Sequence, residues 1–150
     1  MKSRFISSLI AIVFCPYGVN AKDSMADLPP AQLKHGQWQV ERQITKIGEA
    51  NAEPSVRRSS YCASPQKELG KLFNMASLLC RTEVKKIDDA TFDIVAACKL
   101  PIGIKGVNHS RLHILSDTEY TLETHTKGNK FGDEVERKEF IKAERLSDCP

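Results

Sequence analysis

The 150-residue sequence holds no run of about 20 apolar residues, the length a helix needs to cross a bilayer core. Functions that require a membrane-spanning helix are therefore excluded. It has little charge of one sign, with 22 Lys and Arg against 19 Asp and Glu. Overall charge gives no reason to expect nucleic acid or an anionic membrane as partner. There is no Cys-x-x-Cys pair, so the common zinc spacings are missing. There is no Gly-x-Ser-x-Gly elbow for a serine nucleophile. The acidic pairs Asp88-Asp89 and Asp133-Glu134 are followed by no calcium-loop spacing and read as solvated turns. Gly103-Ile104-Lys105-Gly106 is too short to cradle phosphate. Repeats and low-complexity tracts are also absent.

What is present begins with Met1-Lys2-Ser3-Arg4, a basic start, and the apolar run Phe5–Cys15. That run is the length of a secretory core segment and too short to span. Pro16-Tyr17-Gly18 breaks it, and Val19 and Ala21 are small residues suited to a cleavage site between Ala21 and Lys22. Residues 1–21 are read as a signal peptide and 22–35, with Pro29-Pro30, as a flexible lead-in. Lipidation at Cys15 is disfavoured by its neighbours Phe14 and Pro16. Lys2 and Arg4 leave with the signal, and they account for two of the net +3 charges.

Cleavage would leave four cysteines, Cys62, Cys80, Cys98 and Cys149. An even number in an exported chain reads as two disulfides. The stretch Cys80–Cys98 contains two alternating runs around Asp88-Asp89-Ala90, a hairpin pattern. Placing Ile87 opposite Thr91 puts Val84 opposite Ile94 and Cys80 opposite Cys98, all on one face. A one-residue slip would separate the apolar side chains. This register favours Cys80–Cys98 and leaves Cys62–Cys149.

The rest of the chain reads as strands with one helix. Trp38, Val40 and Ile44 share one face of a strand, and Val56–Tyr61 forms a short second strand. Ser64-Pro65 can start a helix to about Met75, with Leu69, Leu72, Phe73 and Ala76 at helical spacing, although Gly70 weakens it. Val107–Leu115 and Tyr120–Thr126 pair so that Ile114 faces Tyr120, Leu112 faces Leu122, Arg111 faces Glu123 and His109 faces His125. Lys127–Asp133 is rich in turn formers. Val135–Arg145 has helical propensity, yet a meander would end more simply in a strand.

These residues together resemble a family. Gly36-Gln37-Trp38-Gln39-Val40 resembles the Gly-x-Trp-x-Val opening of DUF3617, a bacterial exported domain of unknown function. Cys62 before a Ser-Pro helix start, the Cys80–Cys98 hairpin and the ending Arg145-Leu146-Ser147-Asp148-Cys149-Pro150 resemble the rest of its pattern. The family ending usually reads Arg-x-Gly-Asp-Cys, and Ser147 stands at the Gly position. The resemblance covers roughly Gly36–Pro150. It implies a signal peptide, an envelope location and a mostly antiparallel sheet with one helix, and it tips 135–145 towards strand. No catalytic residues come with it.

The expected fold is mainly β, a curved antiparallel sheet or meander of six or seven strands with one helix packed on it and two disulfides, in one domain over 36–150. Trp38, Val40, Phe92, Ile94, Leu112, Ile114, Tyr120 and Leu122 would face inward, as core or as the lining of an apolar groove. The leading function is a non-enzymatic binding or accessory module in the periplasm of a Gram-negative envelope. Its partner would be an envelope protein or a small apolar ligand, with no cofactor and no nucleic acid. Metal handling through His109 and His125, with Glu123 or His113 nearby, is the alternative, since imidazoles and carboxylates are transition-metal donors. An enzyme is the remaining reading, without a recognisable nucleophile, base and orienting group. Arg57-Arg58 reads as a small basic surface spot.

Overall fold

The computed structural model describes residues 33–48, 53–100 and 103–150. The Ala21–Lys22 cleavage site, Cys15 and most of the lead-in lie outside the described residues. The order of elements is β1 (Gly36–Ile47), β2 (Ser55–Ala63), α1 (Pro65–Leu79), β3 (Cys80–Lys86), β4 (Thr91–Leu100), β5 (Ile104–Ser116), β6 (Glu119–Lys130) and β7 (Asp133–Ser147). The seven strands form one antiparallel, unclosed sheet in the order β2-β1-β7-β6-β5-β4-β3. Strands β3 to β7 form a meander. Strand β1 then pairs with β7, and α1 carries the chain from one sheet edge, β2, to the other, β3.

Both predicted hairpin registers are present. Cys80 pairs with Cys98 and Val84 with Ile94. Ile114 pairs with Tyr120 and His109 with His125. The 135–145 segment is strand, because its alternate residues Glu139, Ile141 and Ala143 meet Thr124, Leu122 and Tyr120 across the ladder. Ladder pairing overrides a helix propensity worth only tenths of a kcal/mol per residue. The turn-rich stretch 127–133 contributes most of its residues to strands, leaving a turn at Phe131 and Gly132 with φ of 56° and 102°. Positive φ at both positions matches the right-handed twist of the flanking strands. Ser147 ends β7 in extended backbone, so the Gly usual there is not required.

The helix runs four residues past Met75 to Leu79. Ser64 makes no side-chain cap; its carbonyl instead accepts from the amides of Lys67 and Glu68 at 2.9 and 3.1 Å. The folded region also reaches back to Leu33, which is buried in the core, earlier than the Gly36 start read from the sequence.

The core lies between α1 and the face of the sheet beneath it, here called the inner face. Trp38, Phe92 and Leu112 are each 1% exposed, with Ile94, Ile114, Tyr120, Leu69 and Ala143 around them. Val40 and Leu122 are half-buried against this cluster. The eight inward residues therefore fill a core and do not line an apolar groove. Each large side chain so buried contributes about 1.5–3 kcal/mol.

Gly106 and Gly128 stand opposite each other on β5 and β6. A Cβ on Gly128 would lie 2.5 Å from the Lys105 carbonyl oxygen and 2.9 Å from the Gly106 Cα. The obstacle is backbone, which cannot swing away. Gly128→Ala is expected to lower stability by about 1–3 kcal/mol. Gly70, inside α1, has nothing within 4 Å of an added Cβ. Gly70→Ala is expected to raise stability by roughly 1 kcal/mol. Urea unfolding of both variants checks the opposite signs.

Tyr120 is buried beside Trp38, with ring centroids 5.8 Å apart. Burial, with smaller contributions from Tyr61 and Glu68, pushes its hydroxyl pKa up to about 12. An unfolded tyrosine ionises near 10, so between those values the unfolded chain holds fewer protons and is favoured by rising pH. Stability present below pH 10 is expected to fall by up to about 3 kcal/mol as pH approaches 12. Unfolding curves measured across pH 9–12 against Tyr120→Phe, which should lack most of this slope, test the assignment.

Candidate functional site

The outer face of the sheet, away from α1, is solvated and laced with charge. Arg58 donates to Glu41 at 2.6 Å, which lowers the Glu41 pKa chiefly through that bond. Arg111 grips Asp93 with two bonds, Nε at 2.7 Å and Nη2 at 3.0 Å, and holds the Asp93 carboxyl below its usual range. The sequence pointed to Glu123 as the partner of Arg111. Both carboxylates lie in the same row across the sheet, one on each side of Arg111, and the bidentate bond goes to Asp93.

Between this row and the neighbouring one that carries His109 and His125 lies an open depression of about 530 Å³, lined in part by Gln43, Phe140, Arg111, His109, His125 and Glu123. The residues predicted for metal thus share one concavity. His125 is engaged there: its Nε2 lies 2.7 Å from Glu136, which also accepts from Lys127 at 3.1 Å. Glu136 is held below the usual carboxylate range, first by His125 and then by Lys127. His109, His125 and Glu123 do not form a close donor group. Among the described residues, the group of three potential ligands within 4.8 Å of one another is His35, Cys62 and Cys149. Its two sulfurs are joined in a disulfide, and His35 Nε2 lies 3.6 Å from each. His35 was not legible as a neighbour of the cysteines, because it meets them only through the fold.

The inner face is covered by α1 over β3 and β4, where the helix packs. Towards β7, β1 and β2 it carries charge. Glu139 on β7 is only 8% exposed. It accepts from Arg42 Nε at 2.5 Å and lies 3.7 Å from Arg137 Nη2. Arg57 stands opposite Arg42, and Lys46 opposite Arg137. The dipeptide Arg57-Arg58 is thereby split, Arg58 to the outer face and Arg57 to the inner one. Beside this group, β5 and β6 present a hydroxyl and amide row. Asn108 donates to Thr126 at 3.0 Å, and Ser110 lies 3.1 Å from Thr124. None of these residues stands out in the sequence, since their grouping needs the β2-β1-β7 pairing.

The two bridges, Cys62–Cys149 and Cys80–Cys98, complete a pattern that a family model matches over residues 33–149. The chain belongs to DUF3617. The family is described as a protein of unknown function. Its span in this DUF3617 chain runs from Leu33, the first core residue among the described residues, to the bridged Cys149. No curated protein matches the chain.

Proposed function

We propose that this DUF3617 protein is an exported, non-enzymatic binding module of the bacterial envelope, working in the periplasm. The observation that carries the reading is the incompletely covered inner face. Helix α1 seals the apolar half as core, and the other half keeps a buried carboxylate between arginines with a hydroxyl row beside it. A surface of few, well-positioned polar groups next to apolar side chains is the usual makeup of a ligand site. Two disulfides fit an oxidising, non-cytoplasmic compartment. No described helix is long and apolar enough to cross a membrane.

Native mass spectrometry of the protein released gently from its own envelope tests this. The expected mass is that of a chain starting at Lys22, less the hydrogens of two disulfides, plus a bound ligand. A bare monomer from every preparation would remove the ligand-binding reading, and a mass starting at Met1 would remove export by cleavage. Metal handling is the second reading, favoured by the His109–His125 register within the outer depression. It is abandoned if His125→Ala keeps the parent's affinity for zinc or copper.

A further inference from the structure

Two backbone hydrogen bonds fix the hand of the sheet. The inward residue Ile114 donates its amide towards β4, to Ala90, and the inward residue Arg145 donates towards β6, to Thr118. For L-residues these directions place β3 at the left edge and β2 at the right, seen from the helix side with β1 running upward. Helix α1 leaves the lower end of β2 at Ala63 and delivers Cys80 to the upper end of β3. It therefore crosses the inner face diagonally. With Leu69 and Phe73 packed on the core, right-handed winding at 3.6 residues per turn sends Leu72, Met75 and Leu79 to the flank facing the upper halves of β7, β1 and β2. These three are 56%, 60% and 61% exposed. They form an exposed apolar strip along that flank of the helix.

The corner of the inner face built by β7, β1 and β2 is cationic. Among the described residues, Arg57, Arg42 and Arg137 share it with the carboxylate of Glu139. Like charges directly opposite on neighbouring strands are destabilising, and here Arg57 stands directly opposite Arg42. Arg57 has no ion-pair partner among the described residues. Glu139 fixes the Arg42 guanidinium and leaves an excess of positive charge. Guanidinium groups hold phosphate or carboxylate with paired, charge-assisted hydrogen bonds.

We propose, building on the binding reading above, that this corner takes a single anionic amphiphile. Its acyl chain lies along Leu72, Met75 and Leu79, and its acidic head sits on Arg42, Arg57 and Arg137. The near-neutral total charge conceals the site, because a net charge does not show how charges divide between the two faces of the sheet.

Calorimetric titration of the exported protein tests this with three probes: dodecyl phosphate and dodecyl maltoside, each below its micelle concentration, and inorganic phosphate. Dodecyl phosphate is expected to bind, and the neutral maltoside and chain-free phosphate to bind at least roughly tenfold more weakly. Arg57→Gln, on an exposed edge strand, should weaken dodecyl phosphate roughly tenfold without lowering Tm. Leu72→Gln should weaken it too, and Arg58→Gln on the opposite face should not. Equal binding of the maltoside, equal binding of inorganic phosphate, an unchanged affinity in Arg57→Gln, or an equal loss in Arg58→Gln each overturns the proposal. A neutral ligand or a protein found by native mass spectrometry, together with no dodecyl phosphate binding, sinks this inference and leaves the binding module standing.

Discussion

Replacing Cys62 and Cys149 by serine is expected to lower the unfolding free energy by ~4.5 kcal/mol, and replacing Cys80 and Cys98 by ~3 kcal/mol. The difference follows from loop length. The first bridge closes 87 residues and the second 18, and the chain entropy removed from the unfolded state grows with the logarithm of the loop. The long bridge also ties the edge strand β2 to the end of the chain, beside the central strand β7. Losing it should fray the side of the sheet that carries Trp38. For a domain of this size the first change corresponds to a fall in Tm of roughly 20 °C or more. Guanidinium unfolding of the two double variants decides the order. A larger loss for the Cys80–Cys98 pair would refute the entropic account.

Trp38→Ala is expected to cost ~3–5 kcal/mol. Its ring is 1% exposed, stacks at a tilt on Tyr120 and donates from Nε1 to the Lys34 carbonyl at 3.0 Å. That last bond anchors the segment before β1, including the buried Leu33. The substitution therefore removes core volume and releases the N-terminal end of the domain together. Trp38→Phe keeps most of the volume and loses the donor, so a smaller cost of about 1–3 kcal/mol is expected. Circular dichroism must follow the unfolding, since Trp38 is the single tryptophan. A Trp38→Ala variant within 1 kcal/mol of the parent would show that the core does not depend on it.

Much of the fold was legible because the informative contacts are between neighbours in sequence. In the β3–β4 and β5–β6 hairpins, apolar residues at period two meet across a short turn, and only one register puts Val84 on Ile94 or Leu112 on Leu122. The disulfide Cys80–Cys98 came from that same register. The segment 135–145, most of β7, was ambiguous because Glu, Lys and Arg, which favour helix, occupy a strand whose inner positions Ile141 and Ala143 carry the decisive pattern. The His109–His125 juxtaposition was also legible. The preference of Arg111 for Asp93 was not, because choosing between two carboxylates in one row depends on side-chain geometry across a third strand.

By itself the sequence determined which residues face inward and which cysteines the hairpin brings together. Periodicity and turn chemistry act over a few residues, and they suffice for these. Only the tertiary structure decided that β1 inserts between β2 and β7, and that α1 spans the two edges of the sheet while covering only part of its inner face. Pairing β1 with β7 joins the two ends of the domain, and no local pattern marks which distant edge a strand will choose. That pairing sets Arg57 against Arg42 and buries Glu139 between arginines, so the proposed site exists only once the chain has closed.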